Sequence, residues 1–237
     1  MTVVDQPHAR PDLLRPGVGV VTVSTWRVGT PERQKAAVEA IATAWHARDW
    51  PAGGLLSYTV HTGEDGDTLL HYAQWTGEEA YQHFVRTHRD DRNAEIDAAV
   101  PGIERVALHT YTPYRSGTAA PGDTRIPGCV VVVDVEFDGP DADRQRAWVD
   151  AVFDALGDEP APHPGGIAAH FHTGTDGTRV LNYAEWESAG AHRAALAAPG
   201  DGIGSATPLW QRVQTWPGVT GGGVRRYTPA LSLTAAG

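Results

Sequence analysis

Residues 61–75 read HTGEDGDTLLHYAQW, and 111 positions later residues 172–186 read HTGTDGTRVLNYAEW. Nine of the fifteen positions are identical, where chance gives about one. The same offset superposes Arg33-Gln34 on Arg144-Gln145 and Gly54 on Gly165. Pro101-Gly102 and Tyr111-Thr112-Pro113 return as Pro217-Gly218 and Tyr227-Thr228-Pro229 at offset 116, so the second copy holds five extra residues between Trp186 and Pro217. The chain is therefore a tandem duplication. Its 237 residues partition into a flexible N-terminal tail (1–16), a first repeat (17–114), a linker (115–127), a second repeat (128–230) and a C-terminal tail (231–237). The linker, RSGTAAPGDTRIP, has turn-forming composition and no apolar period. The first sixteen residues lack the charged-then-apolar order of a signal peptide.

Within each repeat, both halves of the quoted stretch read as strands around an Asp-Gly turn, Asp65-Gly66 and Asp176-Gly177. Working outward, residues 18–28 and 129–137 are rich in β-branched side chains and read as strands. Each precedes a helical pattern, 31–49 and 141–156. A second helical stretch, 77–99, and a last strand, 103–114, complete the order βαββαβ, a ferredoxin-like unit. In the strand 129–137 both faces carry apolar side chains, Val131, Val133, Val135 and Phe137 on one and Val130 and Val132 on the other. A sheet with helices on one face needs cover on the other. The expected fold is thus α+β: two ferredoxin-like βαββαβ repeats packed sheet to sheet as an intramolecular α+β barrel. That makes the chain a pseudo-dimer, with no limit set on further homodimerisation.

Composition narrows the partners. Acidic residues outnumber basic ones 29 to 19, a formal charge of −10, which repels nucleic acid and anionic lipid surfaces. No apolar run approaches the roughly 20 residues of a membrane span. One cysteine, Cys129, permits no intrachain disulfide and no CxxC motif, which fits a reducing cytoplasm. In its strand-like run it reads as packing and not as a nucleophile. The glycines of 218–223 precede a strand instead of joining strand to helix, so they do not read as a phosphate loop. His170 and His172 share a strand face, but no carboxylate completes a metal set.

A duplicated ferredoxin-like unit whose third strand ends in (His/Asn)-Tyr-Ala-(Gln/Glu)-Trp closely resembles the antibiotic biosynthesis monooxygenase family. The resemblance implies a cytoplasmic enzyme that oxidises polycyclic aromatic polyketides, anthrone- or phenol-type, to quinones. It implies no cofactor, with molecular oxygen as co-substrate. The family's cavity asparagine matches Asn182, with His71 in that place in repeat one, and its tryptophan matches Trp186 and Trp75. Its cavity histidine matches His172 and His61. Its substrate-orienting tyrosine matches Tyr81, where repeat two has His192. Arg92 and Arg212 are the candidates for its substrate-contacting arginine. Haem-degrading relatives carry an axial histidine where this chain has Val85 and Leu196, with His83 and His88 off position. A haem enzyme on the same fold, and a non-oxidative polyketide cyclase or ligand-binding accessory protein, are the rival readings.

The residues themselves describe a pocket. Strand alternation places Leu69, His71, Ala73 and Trp75 on one face, and Val180, Asn182, Ala184 and Trp186 on its counterpart. A polar group, a small alanine and a large indole beneath helices give a floor, a wall and a handle. His71 and Asn182 serve equally well as satisfied core residues. Tyr72 and Tyr183, on the other face, read chiefly as packing and secondarily as substrate contacts. The hairpin loop decides where His61 and His172 point. A three-residue loop with Gly66 left-handed pairs His61 with Leu69 and puts it beside His71 and Trp75, whereas a two-residue loop turns it away. The three-residue loop is the expectation, because it gives both pockets a titratable group able to act as a base near neutral pH.

Overall fold

The computed structural model describes residues 1–158, 163–198, 205 and 207–236. The chain forms two compact units, one of Met1–Tyr111 with Tyr227–Gly237, the other of Thr112–Arg226. Each is α+β. In unit one the order is β1 (Val3–Asp5), β2 (Val20–Arg27), α1 (Pro31–His46), β3 (Leu55–Gly63), β4 (Thr68–Trp75), α2 (Glu78–Thr87), α3 (Arg89–Ala99) and the first half of β5 (Glu104–Thr118). Unit two repeats it with β6 (Cys129–Phe137), α4 (Ala142–Gly157), β7 (Gly166–Gly174), β8 (Arg179–Trp186), α5 (Ala189–Ala197), α6 (Pro208–Gln214) and the first half of β9 (Val219–Ala235). The ferredoxin-like βαββαβ order read from the sequence is present twice. The helical stretch after β4 breaks at His88, whose φ of −134° is not helical. Of the stretch holding the five extra residues, 199–204 and 206 lie outside the described residues. Among the described residues no helix is long and apolar enough to cross a membrane.

Local chemistry accounts for the elements. Thr30 caps α1 by accepting from the Arg33 amide, with Pro31 in the first turn; Asp141 does the same for α4 at Arg144. The buried face of α1 is Ala37, Ile41, Ala44 and Trp45; of the apolar positions that mark this helix in the sequence, Ile41 and Trp45 lie on it, while Ala36 and Val38 are only half-buried. The repeated Arg-Gln pair has a shared task. The Gln34 side-chain amide donates to the carbonyls of Gly63 (3.0 Å) and Thr68 (2.8 Å), and that of Gln145 to Gly174 (3.2 Å) and Arg179 (2.6 Å). Each glutamine clasps the neck of the hairpin in its own repeat. Gly54 and Gly165, at φ +103° and +82°, lie where an added Cβ would come within 2.8 Å of Ala80 and 2.5 Å of Ala191. A glycine there lets α2 and α5 close over the strands.

Three boundaries differ from the sequence reading. Residues 1–16 are not a free tail, because β1 pairs with the end of β9, Val3 opposite Ala235. Residues 231–237 are not a tail either. Leu231 and Leu233 alternate into the core, and β9 pairs along β3 from Gly63↔Tyr227 to Tyr58↔Leu233. The expected linker begins with strand, since β5 runs on to Thr118. The sheet of unit one is thus ordered β1-β9-β3-β4-β2-β5, and that of unit two β5-β7-β8-β6-β9. Contact units and sequence repeats do not coincide: the last strand of repeat two supplies residues 227–235 to unit one.

Candidate active site

Each unit holds a cavity between its sheet and its helices. That of unit one is about 570 Å³, within the ordinary range for a small-molecule site. Its floor is the β4 face carrying His71, Ala73 and Trp75; α1 adds Trp45, α2 adds Tyr81 and Phe84, and α3 adds Arg92 and Ile96. The walls are aromatic. Trp75 lies 5.4 Å from Tyr81 and 5.2 Å from Phe84 between ring centres, and its indole N–H donates to Thr22 Oγ1 at 3.0 Å. His71, 4% exposed, sits 4.1 Å from the Trp26 ring. Its Nδ1 bonds the Tyr58 hydroxyl at 2.7 Å, and its buried Nε2 has no protein partner. Burial, then the charges of His61 and Arg105, push its pKa down to about 3, so the ring is neutral at physiological pH.

Three arginines line this cavity, Arg89, Arg92 and Arg105, and Arg92 is the buried one. It is 4% exposed, lies 4.7 Å over the Trp45 ring, and donates to the carbonyls of His88 (3.1 Å) and Asp49 (3.3 Å). No carboxylate stands within ion-pair distance of it among the described residues, and its Nε has no partner. A buried guanidinium with no directly paired anion is costly, and the carboxylates of Glu95 and Asp91 act on it only from a distance. Arg105, at 4.6 Å over Trp26, is already paired with Asp97 at 3.0 Å.

The cavity of unit two, about 470 Å³, is less polar. It is lined by Asn182, Ala184 and Trp186 of β8, with Phe153, Phe171, His163, His192 and Trp210. His192 meets Trp186 edge-on at 4.9 Å, and its Nδ1 accepts from Arg226 Nε at 3.0 Å, which leaves the ring proton on Nε2. The Asn182 side-chain oxygen is buried with no hydrogen-bond partner.

The sequence-derived set divides cleanly. His71, Trp75 and Tyr81 come together in unit one, and Asn182, Trp186 and His192 in unit two. Arg92 joins the first cavity, while Arg212 stacks on Trp216 and lines neither. His61 and His172 are a correction. The hairpin loops span four residues and not three, so His61 pairs with Leu70 and His172 with Leu181, on the faces turned away from the cavities. The reason lies at the fourth loop position. The Asp67 carbonyl is taken by the Val28 amide (2.9 Å), and its carboxylate by Arg27 (2.8 Å) and the Gly29 amide (2.7 Å), so Asp67 is unavailable to pair with Gly63. Thr178 gives its carbonyl to Phe137 in the same way (2.9 Å). Burial pushes the His172 pKa down to about 4. Tyr72 and Tyr183 share those away faces, fully buried, and line neither cavity. Their role as substrate contacts is withdrawn with that of the two histidines.

Tyr58, Trp45, Trp26 and Phe84 were missed. Tyr58 faces the cavity because it pairs with Ala73, a register the turn alone did not disclose. Trp45 was legible as the inward end of α1.

Comparison with known proteins follows the geometry. Residues 130–200 match the sequence model of a family described as antibiotic biosynthesis monooxygenase. No curated protein matches the chain. Among solved structures, an anthrone oxidase-like protein is similar over 99% of this chain and 97% of its own, with TM-score 0.70 and 20% identity. A mutant chlorite dismutase from Candidatus Nitrospira defluvii is similar over 92% of this chain and 93% of its own, with TM-score 0.56 and 14% identity. At these identities the likeness is one of fold.

Proposed function

We propose that the chain is a member of the antibiotic biosynthesis monooxygenase family, whose model matches residues 130–200, and that it is a cofactor-independent monooxygenase converting an anthrone- or phenol-type polycyclic aromatic polyketide to a quinone. The observation that carries this reading is the cavity of unit one, a slot walled by Trp45, Trp75, Tyr81 and Phe84, with a neutral imidazole, His71, and a buried arginine, Arg92, that makes no direct ion pair among the described residues. Flat apolar walls suit fused rings. A buried cation suits the oxyanion those rings carry once ionised.

The substrate supplies the electrons. Loss of a proton from the ring methylene gives a delocalised anion, which adds dioxygen to form a peroxide. The peroxide takes up a proton and then expels water as the remaining C–H proton departs, leaving the carbonyl. One oxygen atom stays in the quinone and the other leaves as water. Arg92 stabilises the anion, and His71 donates a hydrogen bond to its oxygen. With a pKa near 3 His71 is a poor base, and His61 faces away, so the substrate proton leaves to water at the cavity mouth. The chain assists by making the anion cheaper to form. In unit two Asn182 offers an amide where unit one offers imidazole, beside Trp186 and His192.

Incubation with an anthrone under labelled dioxygen, without added metal, flavin or haem, tests the reading. Label in the quinone carbonyl supports it. Product that forms equally well without oxygen overturns it in favour of a cyclase, and a Soret shift with haemin, coupled to haem-dependent turnover, overturns it in favour of a haem enzyme.

A further inference from the structure

We infer that Tyr58 is the positioning residue of His71: its hydroxyl donates to Nδ1 and fixes the imidazole as the Nε2–H tautomer, a neutral donor reserved for an oxygen atom of the bound aromatic. The catalytic use of that donor rests on the function proposed above, while the tautomer itself does not.

The polarity of the 2.7 Å contact follows from counting donors. The Tyr58 hydroxyl makes no other hydrogen bond among the described residues. If it accepted from Nδ1, two groups would be left without a protein partner, its own proton and the lone pair on Nε2, which is buried. If it donates, the phenol proton and the Nδ1 lone pair satisfy each other, and the one group left over is the N–H on Nε2. Burial also pushes the Tyr58 pKa above the ordinary phenol value, so the hydroxyl keeps its proton at neutral pH. Both rings are held in place. Trp45 stacks on Tyr58 at 4.5 Å and 21°, and Trp26 lies 4.1 Å from His71.

The second repeat gives an internal control. The positions 111 residues on from Tyr58 and His71 are Ala169 and Asn182, and both line the cavity of unit two. An imidazole has two tautomers and needs a partner to choose one, whereas an amide always carries its N–H donors. The repeat with the imidazole has the tyrosine, and the repeat with the amide has alanine. The two pairs are alternative ways to present one N–H to the same kind of oxygen.

The experiment has two arms. In the first, the histidine side-chain nitrogens of the ¹⁵N-labelled protein are observed by NMR at pH 7, with His71→Asn providing the assignment. The inference expects His71 as Nε2–H in the wild-type chain and a mixture of tautomers in Tyr58→Phe. An Nδ1–H or doubly protonated His71 in the wild type overturns it. In the second, quinone formation is measured for Tyr58→Phe in the wild-type and His71→Asn backgrounds. We expect kcat to fall about tenfold in the first as the ring loses its anchor, with KM nearly constant, and to change less than twofold in the second. Equal losses in both backgrounds mean that Tyr58 acts without His71 and overturn the positioning role. Absence of quinone formation in the wild type overturns the proposed function alone, because the spectrum needs no turnover.

Discussion

Acidification from pH 7 to pH 5 is expected to cost this fold several kcal/mol through two buried histidines. His71 and His172 are held neutral in the folded chain, with pKa values near 3 and 4 caused first by burial, while an unfolded histidine titrates at about 6.5. Between those values only the unfolded state binds the proton, so stability rises with pH. The contribution is complete above about pH 6.5, shrinks as the pH falls, and is exhausted near pH 4 for His172 and near pH 3 for His71. Integrating from pH 7 to pH 5 gives about 2 kcal/mol for each ring, roughly 4 kcal/mol together. Urea unfolding at half-unit steps from pH 7.5 to 5.0 measures it, in a window where ordinary carboxylates stay ionised. His71→Asn copies the residue found in repeat two, and His172→Asn removes the other ring. Each should flatten the slope by about half of that total, whatever it does to stability at pH 7. A slope unchanged by either substitution would refute the reasoning, as would NMR titration placing either ring near 6.5.

Other expectations bear on the cavities and on the hairpins. Arg92→Met keeps the packing over Trp45 but removes the cation that favours the anion formed during reaction, and should lower kcat by about tenfold or more with a smaller change in KM, read from steady-state oxygen uptake. Separate His71→Ala and Asn182→Ala substitutions should reveal which cavity turns over. Loss of the donor in the working one is expected to cost about 10²-fold in kcat, and equal small losses would show that neither donor matters. Gln34→Leu and Gln145→Leu each remove the side-chain donor from two hairpin carbonyls, of which Gly63 and Gly174 keep the turn amides of Gly66 and Gly177, so each should cost about 1 kcal/mol in urea unfolding with KM unchanged, since neither glutamine lines a cavity.

Much of this was legible because duplication doubles every signal. The repeated HTG–DG–YA–W frame located both hairpins, the helical period found Ile41 and Trp45 on the inward face of α1, and β4 alternation put His71 and Trp75 on one face. The loop length was beyond reach, because it turns on where Asp67 spends its carbonyl and carboxylate. Those partners, Arg27 at the end of β2 with Val28 and Gly29 just after it, lie as much as 40 residues away. One residue of register then carries His61 and His172 to the opposite face and brings Tyr58 into the cavity. The clasping role of Gln34 and Gln145 was visible as a repeated pair but not as a mechanism, since its acceptors are backbone carbonyls that carry no sequence mark. The ends were misread for a related reason: a three-residue strand such as β1 shows no period, and only its partner reveals it.

The pairing of β9 along β3 also governs the order of events during synthesis. Thr59 bonds Ser232 at 2.8 Å across 173 residues, and Leu56 accepts from Thr234 across 178. On the ribosome, β3 waits with an open edge until its partner strand, more than 170 residues further on, has been made. Contacts so distant in sequence close slowly, and an open edge in the meantime is a template for the wrong strand. Repeat two can begin to fold while the chain is still growing, whereas the sheet that floors the Tyr58–His71 cavity is completed only once residues 227–235 have emerged. A fragment ending at residue 114 would therefore lack that closing strand, and would have to find its substitute in a second molecule.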